Sequence, residues 1–143
     1  MTDDTTRDFA EASRHLSIWI DAAPDAVYRF AADPATWPRW AAGLAEGELR
    51  QTPDGWVADS PMGRVTVEFS ARNAFGVLDH VVTMPTGEKV YNPMRILPAG
   101  VDEPRCEVVF TVRPRPGMTD EEFEADAAAV AADLETLRGL VEG

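Results

Sequence analysis

The stretch DAAPDAVYRFAADPATWPRWA, residues 21–41, decides how the rest of the chain is read. It continues from RHLSIWID (14–21), where Leu16, Ile18 and Ile20 alternate with Ser17 and Trp19, the period of a half-buried strand. Pro24 suits the first position of a helix, where its missing N–H costs nothing. Val27, Phe30 and Ala31 then recur at helical spacing, with Tyr28 beside them. Asp33-Pro34 ends that helix, because the residue before a proline is pushed out of the α region. PATWPRWAAGL (34–44) reads as a second short helical turn broken by Pro38, with Trp37 and Trp40 on one face. Each tryptophan can bury roughly 150–250 Å². A strand followed by two short, angled helices suits a curved sheet whose open end they plug.

From Leu44 to Arg113 the pattern is one of short strands between turn signals. EGELRQT stops at Pro53-Asp54-Gly55, and GWVADS at Pro61-Met62-Gly63. RVTVEFSAR alternates Val65, Val67 and Phe69 against Thr66, Glu68 and Ser70. After NAFG come VLDHVVTM, a turn at Pro85-Thr86-Gly87, EKVYNPMRIL, the loop PAGVDEP and finally RCEVVFTVR. Strands so closely spaced are most simply an antiparallel meander. The last element is a helix over 120–142, about 34 Å long at 1.5 Å per residue. Thr119 and Glu122 form its capping box, and Phe123, Ala127, Val130, Leu134, Leu137 and Val141 its apolar stripe. Alanines at 125, 127, 128, 129, 131 and 132 hint at space beneath it, although alanine also simply favours helix.

Composition narrows the function classes. The chain has 143 residues, enough for one core with a pocket. The net charge is −12, a field that repels nucleic-acid phosphates and anionic membrane surfaces. Of the 13 basic residues only Lys89 is a lysine, so there is no lysine-rich patch. An Ala-rich composition with arginine far above lysine suggests a GC-rich bacterial source. No run approaches the ~18 apolar residues of a membrane span, and MTDDTTRDFAEA lacks signal-peptide chemistry. The expectation is a cytoplasmic protein with a tail over 1–13 and one domain over 14–143. Cys106, the single cysteine, excludes an internal disulfide and reads as a small buried hydrophobe. No zinc spacing, phosphate loop or nucleophile elbow occurs, so neither metal nor cofactor is expected.

The order strand, two short helices, antiparallel strands and long C-terminal helix resembles the SRPBCC or START-like superfamily, which includes polyketide cyclase/dehydrase-like proteins. SIWIDAAPDAVYRFAADPATWPRW carries the likeness most strongly, and the resemblance covers roughly residues 14–142. It implies an α+β helix-grip fold: a curved antiparallel sheet of about six to seven strands, two short helices and a long C-terminal helix enclosing a cavity. The superfamily hosts binders, cyclases, hydrolases and chaperone activators, so function must be argued from the site.

The site candidates lie on the strand pair LDHVVTM and EKVYNPMR. A two-residue Thr86-Gly87 loop would set Val82 opposite Tyr91 and Leu78 opposite Arg95. Leu78, His80, Val82, Tyr91 and Arg95 then share one face, and Asp79, Val81, Thr83, Asn92, Met94 and Ile96 the other. Val81, Val90, Met94 and Ile96 favour the second face as core. A short NAFG turn instead puts His80 opposite Phe69, on the inward face of the preceding strand, and a bulge would reconcile the two. We take His80, Tyr91 and Arg95 as the inward set: proton shuttle, carbonyl donor and anion partner. Trp40, Phe69, Val82, Phe110 and Val130 are the expected ligand-contacting walls. Asp79 and His80, being adjacent, point to opposite faces and form no dyad. Three functions stay open: a binder of a small hydrophobic or aromatic ligand, a cyclase or dehydratase using His80, Tyr91 and Arg95, and a chaperone-activator-like interaction module. A sheet edge or the outer side of the long helix would be the surface of a homodimer.

Overall fold

The alternation in RHLSIWI produces strand β1 (Arg14–Ile20), with Ile18 and Ile20 buried and Trp19 outward. The computed structural model describes residues 12–42 and 47–143. The expected tail therefore lies outside the described residues except for Ala12 and Ser13, as do residues 43–46, where the run of strands was expected to begin. Helix α1 (Pro24–Ala31) starts on Pro24 and buries Val27 and Ala31. A 3₁₀ turn (Pro34–Thr36) and a one-turn helix α2 (Trp37–Trp40) follow, so Pro38 sits inside the first turn of α2, where a proline is tolerated, and breaks nothing.

Side chains fasten the corner between these helices. Asp33 Oδ1 accepts from the Ala35 N–H at 3.0 Å. The Thr36 hydroxyl donates to the carbonyls of Phe30 and Asp33. Trp37 Nε1 donates to the Ala31 carbonyl at 2.8 Å, satisfying an acceptor that the end of α1 leaves orphaned. Trp37 is 1% exposed. Its rings meet Trp40, Phe69 and His80 at centroid distances of 4.7, 4.9 and 4.8 Å. Burying that much aromatic surface contributes roughly 4–6 kcal/mol before entropy, and Trp40, 3% exposed, is buried almost as fully.

Strands β2 (Arg50–Thr52), β3 (Gly55–Ser60), β4 (Gly63–Phe69), β5 (His80–Thr83) and β6 (Lys89–Asn92) form an antiparallel meander. β7 (Met94–Pro98) and β8 (Cys106–Val112) join β1 in the order β1-β8-β7. The two sheets meet where Val77 pairs with Arg95, with 2.8 Å bonds from Leu78 N–H to the Met94 carbonyl and from Ile96 N–H to the Gly76 carbonyl. Gly76 permits this approach: at φ +72°, a Cβ there would lie 2.4 Å from the Ile96 oxygen. The eight strands exceed the expected six to seven because Pro93 splits one strand into β6 and β7. Helix α3 (Asp120–Glu142) has its capping box and buries Phe123, Ala127, Leu134 and Leu137. It lies along β1, with Arg14 paired to Glu124 near one end and the Asp21 N–H donating to Glu142 at the other.

The β5–β6 register differs from the expected one by one residue. Val82 opposes Val90, Val81 opposes Tyr91, and His80 opposes Asn92. The cause is the turn. A two-residue type I′ loop would require positive φ at the β-branched Thr86. The chain instead uses Pro85-Thr86-Gly87, with Gly87 alone at positive φ (94°) and Met84 bonded to Glu88 at 2.8 Å. A one-residue slip moves every side chain of one strand to the other face. Leu78, His80 and Val82 therefore point inward together with Met94 and Ile96, and the two sequence signals that conflicted agree without a bulge.

Proline at 93 has no N–H, and the ladder beside it is rewired. The Met94 N–H donates to Asp79 Oδ1 at 2.8 Å. The Leu78 carbonyl accepts instead from His80 Nδ1 at 3.0 Å. Asp79 also accepts from Arg95 Nε and Nη2, at 2.9 and 2.8 Å, and from the Tyr91 hydroxyl. The Asp79 side chain is 8% exposed and that of Arg95 49%. Asp79→Ala would leave a buried N–H unpaired, and we expect a loss of about 2–4 kcal/mol by urea denaturation. Arg95→Ala, removing the half-exposed partner, should cost about 1 kcal/mol or less. Equal losses would contradict this division of labour.

Candidate functional site

Between α3 and the concave face of the sheet lies a cavity of about 140 Å³. Trp37 and Trp40 close it on the α2 side, and Val82, Val90 and Phe110 line it from the sheet. Ala129, Val130 and Leu134 form the wall given by α3. Met62, Met84, Arg115, Asp126 and Asp133 complete it with flexible and charged groups. Of the helix alanines only Ala127 is buried; Ala129 is exposed at the edge of the space and lines it, and Ala125, Ala128, Ala131 and Ala132 are exposed without lining it. Most of the alanine run thus serves helix propensity, not the hollow.

Two polar side chains stand among the apolar walls, His80 and Asn92, directly opposite each other on β5 and β6. His80 is 3% exposed, and its ring packs edge-on to Trp37 at 4.8 Å and Phe110 at 5.7 Å. Because Nδ1 faces a carbonyl, it must carry the proton, which leaves Nε2 as a bare acceptor to which no described residue donates. Burial pushes the imidazole down to about 4, against the opposing pull of the Leu78 carbonyl and the Asp79 charge. At pH 7 about one molecule in a thousand would carry a second proton. Asn92 Nδ2 donates to the Val90 carbonyl at 3.2 Å, which orients its Oδ1 as an acceptor. The Trp40 indole Nε1 is wholly covered and has no hydrogen-bond partner among the described residues.

The expected site residues separate. His80, Trp40, Val82, Phe110 and Val130 all line the cavity. Phe69 opposes His80 and packs on Trp37 just behind the wall. Tyr91 and Arg95, expected to face inward, lie on the outer face with Asp79, because the register slip carried them there. Arg95 holds the Asp79 carboxyl well below the usual carboxylate range. In return, the Asp79 hydrogen bond pushes the Tyr91 phenol up. They clamp the sheet and present nothing to the cavity. Asn92, placed on the outer face by the same register, is an inward residue that sequence reasoning missed; the β-branched Thr86 in the turn was the signal for it. Arg115, 3.7 Å from Glu88, and Asp126 also went unremarked; partial loss of hydration pushes the Asp126 carboxyl up, with the Arg115 charge opposing. Cys106 is fully buried, and burial pushes its thiol up, away from reactivity. Among the described residues no group of three His, Cys, Asp or Glu side chains could hold a metal, and no helix is long and apolar enough to cross a membrane.

A long helix laid over a curved sheet is a fold that known proteins share. The family model described as polyketide cyclase / dehydrase and lipid transport matches residues 12–142. The chain belongs to that family. Among solved structures, XoxI from Bacillus cereus superposes with a TM-score of 0.70 at 12% identity, over 91% of this chain and 95% of that one. A START superfamily protein from Mycobacterium smegmatis gives 0.66 at 12%, over 91% and 97%. The Zhui aromatase/cyclase from Streptomyces sp. R1128 gives 0.64 at 19%, over 91% and 94%. At these identities the likeness shows the fold alone, and residue roles must come from each chain's own geometry. No curated protein sequence matches this one.

The buried His80 makes stability depend on pH. Its folded value lies below the unfolded 6.5, so the unfolded chain binds the extra proton. Stability is therefore fully present above about pH 6.5 and falls as the pH drops towards 4, by about 1.4 kcal/mol per unit. Subtracting the profile of His80→Gln cancels the other titrating groups, Asp126 included. The difference should show this slope in urea denaturation from pH 6.5 to 4.5; a flat difference would contradict a buried neutral ring.

Proposed function

We propose that the protein binds a small apolar or aromatic organic molecule in the cavity beneath α3. The observation that carries this reading is the hollow itself, walled by Trp37, Trp40, Val82, Phe110, Val130 and Leu134, where the sheet and helix do not pack solid. Ligand sites are of this kind: mostly apolar and concave, with few polar groups. Volume bounds the occupant. A dry cavity near 150 Å³ accepts benzene, so the closed form suits one ring, with larger substituents directed towards Arg115, Asp126 and Asp133.

A second reading, cyclase- or dehydratase-like, draws on the family description and the aromatase/cyclase neighbour. Of its three candidate residues only His80 touches the cavity, so the chemistry would rest on that ring and on substrate shaping. A general base works best with a pKa near the working pH. A ring held near 4 is a poor proton acceptor at neutrality, which favours binding over proton transfer.

A thermal-shift screen of single-ring aromatics tests the reading. A bound ligand at a hundredfold excess over Kd should raise the melting temperature by roughly 5 °C or more and be recovered unchanged. Val130→Phe, which fills the hollow, should abolish the shift while folding normally. Shifts that persist in Val130→Phe would move the ligand elsewhere. Turnover lost in His80→Ala would select the enzyme.

A further inference from the structure

With Tyr91 and Arg95 turned outward, the inner wall has lost the two hydrogen-bond donors that a carbonyl or carboxylate ligand would need. What remains is mainly of the opposite kind. His80 Nε2 is an acceptor because Nδ1 is committed to the Leu78 carbonyl. Asn92 spends one of its two Nδ2 hydrogens on the Val90 carbonyl, which orients Oδ1 as an acceptor and leaves one N–H beside it. The pair is cross-strand, on the hydrogen-bonded ladder at about 5.5 Å between Cα atoms. The Trp40 Nε1 is wholly covered and presents no surface to an occupant. Asp126 and Asp133 give the cavity an acidic rim in a chain of net charge −12, and Arg115 is the one cation among the described lining residues.

We propose that the cavity selects a neutral, single-ring molecule that donates a hydrogen bond, a phenol-type hydroxyl directed at His80 Nε2 and Asn92 Oδ1, and discriminates against carboxylates. The inference rests on the binding reading above and specifies its ligand. His80 is buried as a residue, and an acceptor with no donor opposite it is unfavourable in a largely apolar hollow, where a hydroxyl restores the missing bond. A carboxylate meets the His80 acceptor and an acidic rim instead, with only one Asn92 N–H and Arg115 to offset the hydration it loses. Toluene fills the same volume but leaves the acceptors unpaired, so it measures the apolar walls alone.

The test is the affinity of phenol, toluene and benzoate for the full chain, read by quenching of tryptophan fluorescence, since Trp37 and Trp40 both line the space. Phenol should bind, benzoate at least tenfold more weakly, and His80→Phe should lower the phenol-to-toluene affinity ratio about tenfold while toluene still binds. Asn92→Leu, which leaves the Leu78 carbonyl satisfied, should lower that ratio in the same direction if His80→Phe does not fold. Toluene binding with a ratio unchanged in both variants, or benzoate binding best, would overturn the donor rule and leave the binding reading standing. No binding of any probe would overturn both.

Discussion

Everything in the site depends on how the sheet is completed beside Pro93. A proline inside a sheet removes a ladder donor and is normally confined to edges and bulges. Here the neighbouring bond, from Met94 N–H to the Leu78 carbonyl, is replaced by two side chains from adjacent residues. Asp79 takes the N–H from the outer face and His80 serves the carbonyl from the inner face. Because the two alternate across one strand, a single repair divides into an outer clamp and an inner polar group. The clamp holds β5, β6 and β7 in register. The inner half fixes the tautomer of the imidazole and sets its free nitrogen towards the hollow.

Packing then decides what that nitrogen can do. Trp37, Phe69 and Phe110 surround His80, and the loss of hydration outweighs the nearby Asp79 charge, leaving a neutral ring. The Trp37 indole is itself tied to the end of α1, so the helical corner and the histidine form one packed unit. A rigid acceptor inside apolar walls suits recognition better than proton transfer, and the alanine and valine on α3 provide the room.

Much of this was legible in the sequence. The Ala-Pro start of α1, the Asp33-Pro34 corner, the paired tryptophans and the Thr119–Glu122 capping box are local signals, and each forms where its own chemistry places it. The inward direction of His80 followed from its pairing with Phe69 across a short turn. The register of the next hairpin did not follow, because it depends on whether the loop holds two residues or three. Reading Thr86-Gly87 as a two-residue loop ignored the cost of positive φ at a β-branched residue. That one step exchanged Asn92 for Tyr91 and sent Arg95 to the wrong side. The Met94–Asp79 bond joins residues fifteen apart in the chain, and no local pattern encodes it.

Nitrogen-15 NMR of the histidine side chains tests the central claim most directly. The account predicts that His80 is the Nδ1–H tautomer, with Nε2 at the chemical shift of an unprotonated nitrogen, and that neither signal moves between pH 8 and about 6. An Nε2–H tautomer, or a titration centred near 6.5, would contradict the ladder exchange and remove the acceptor from the cavity.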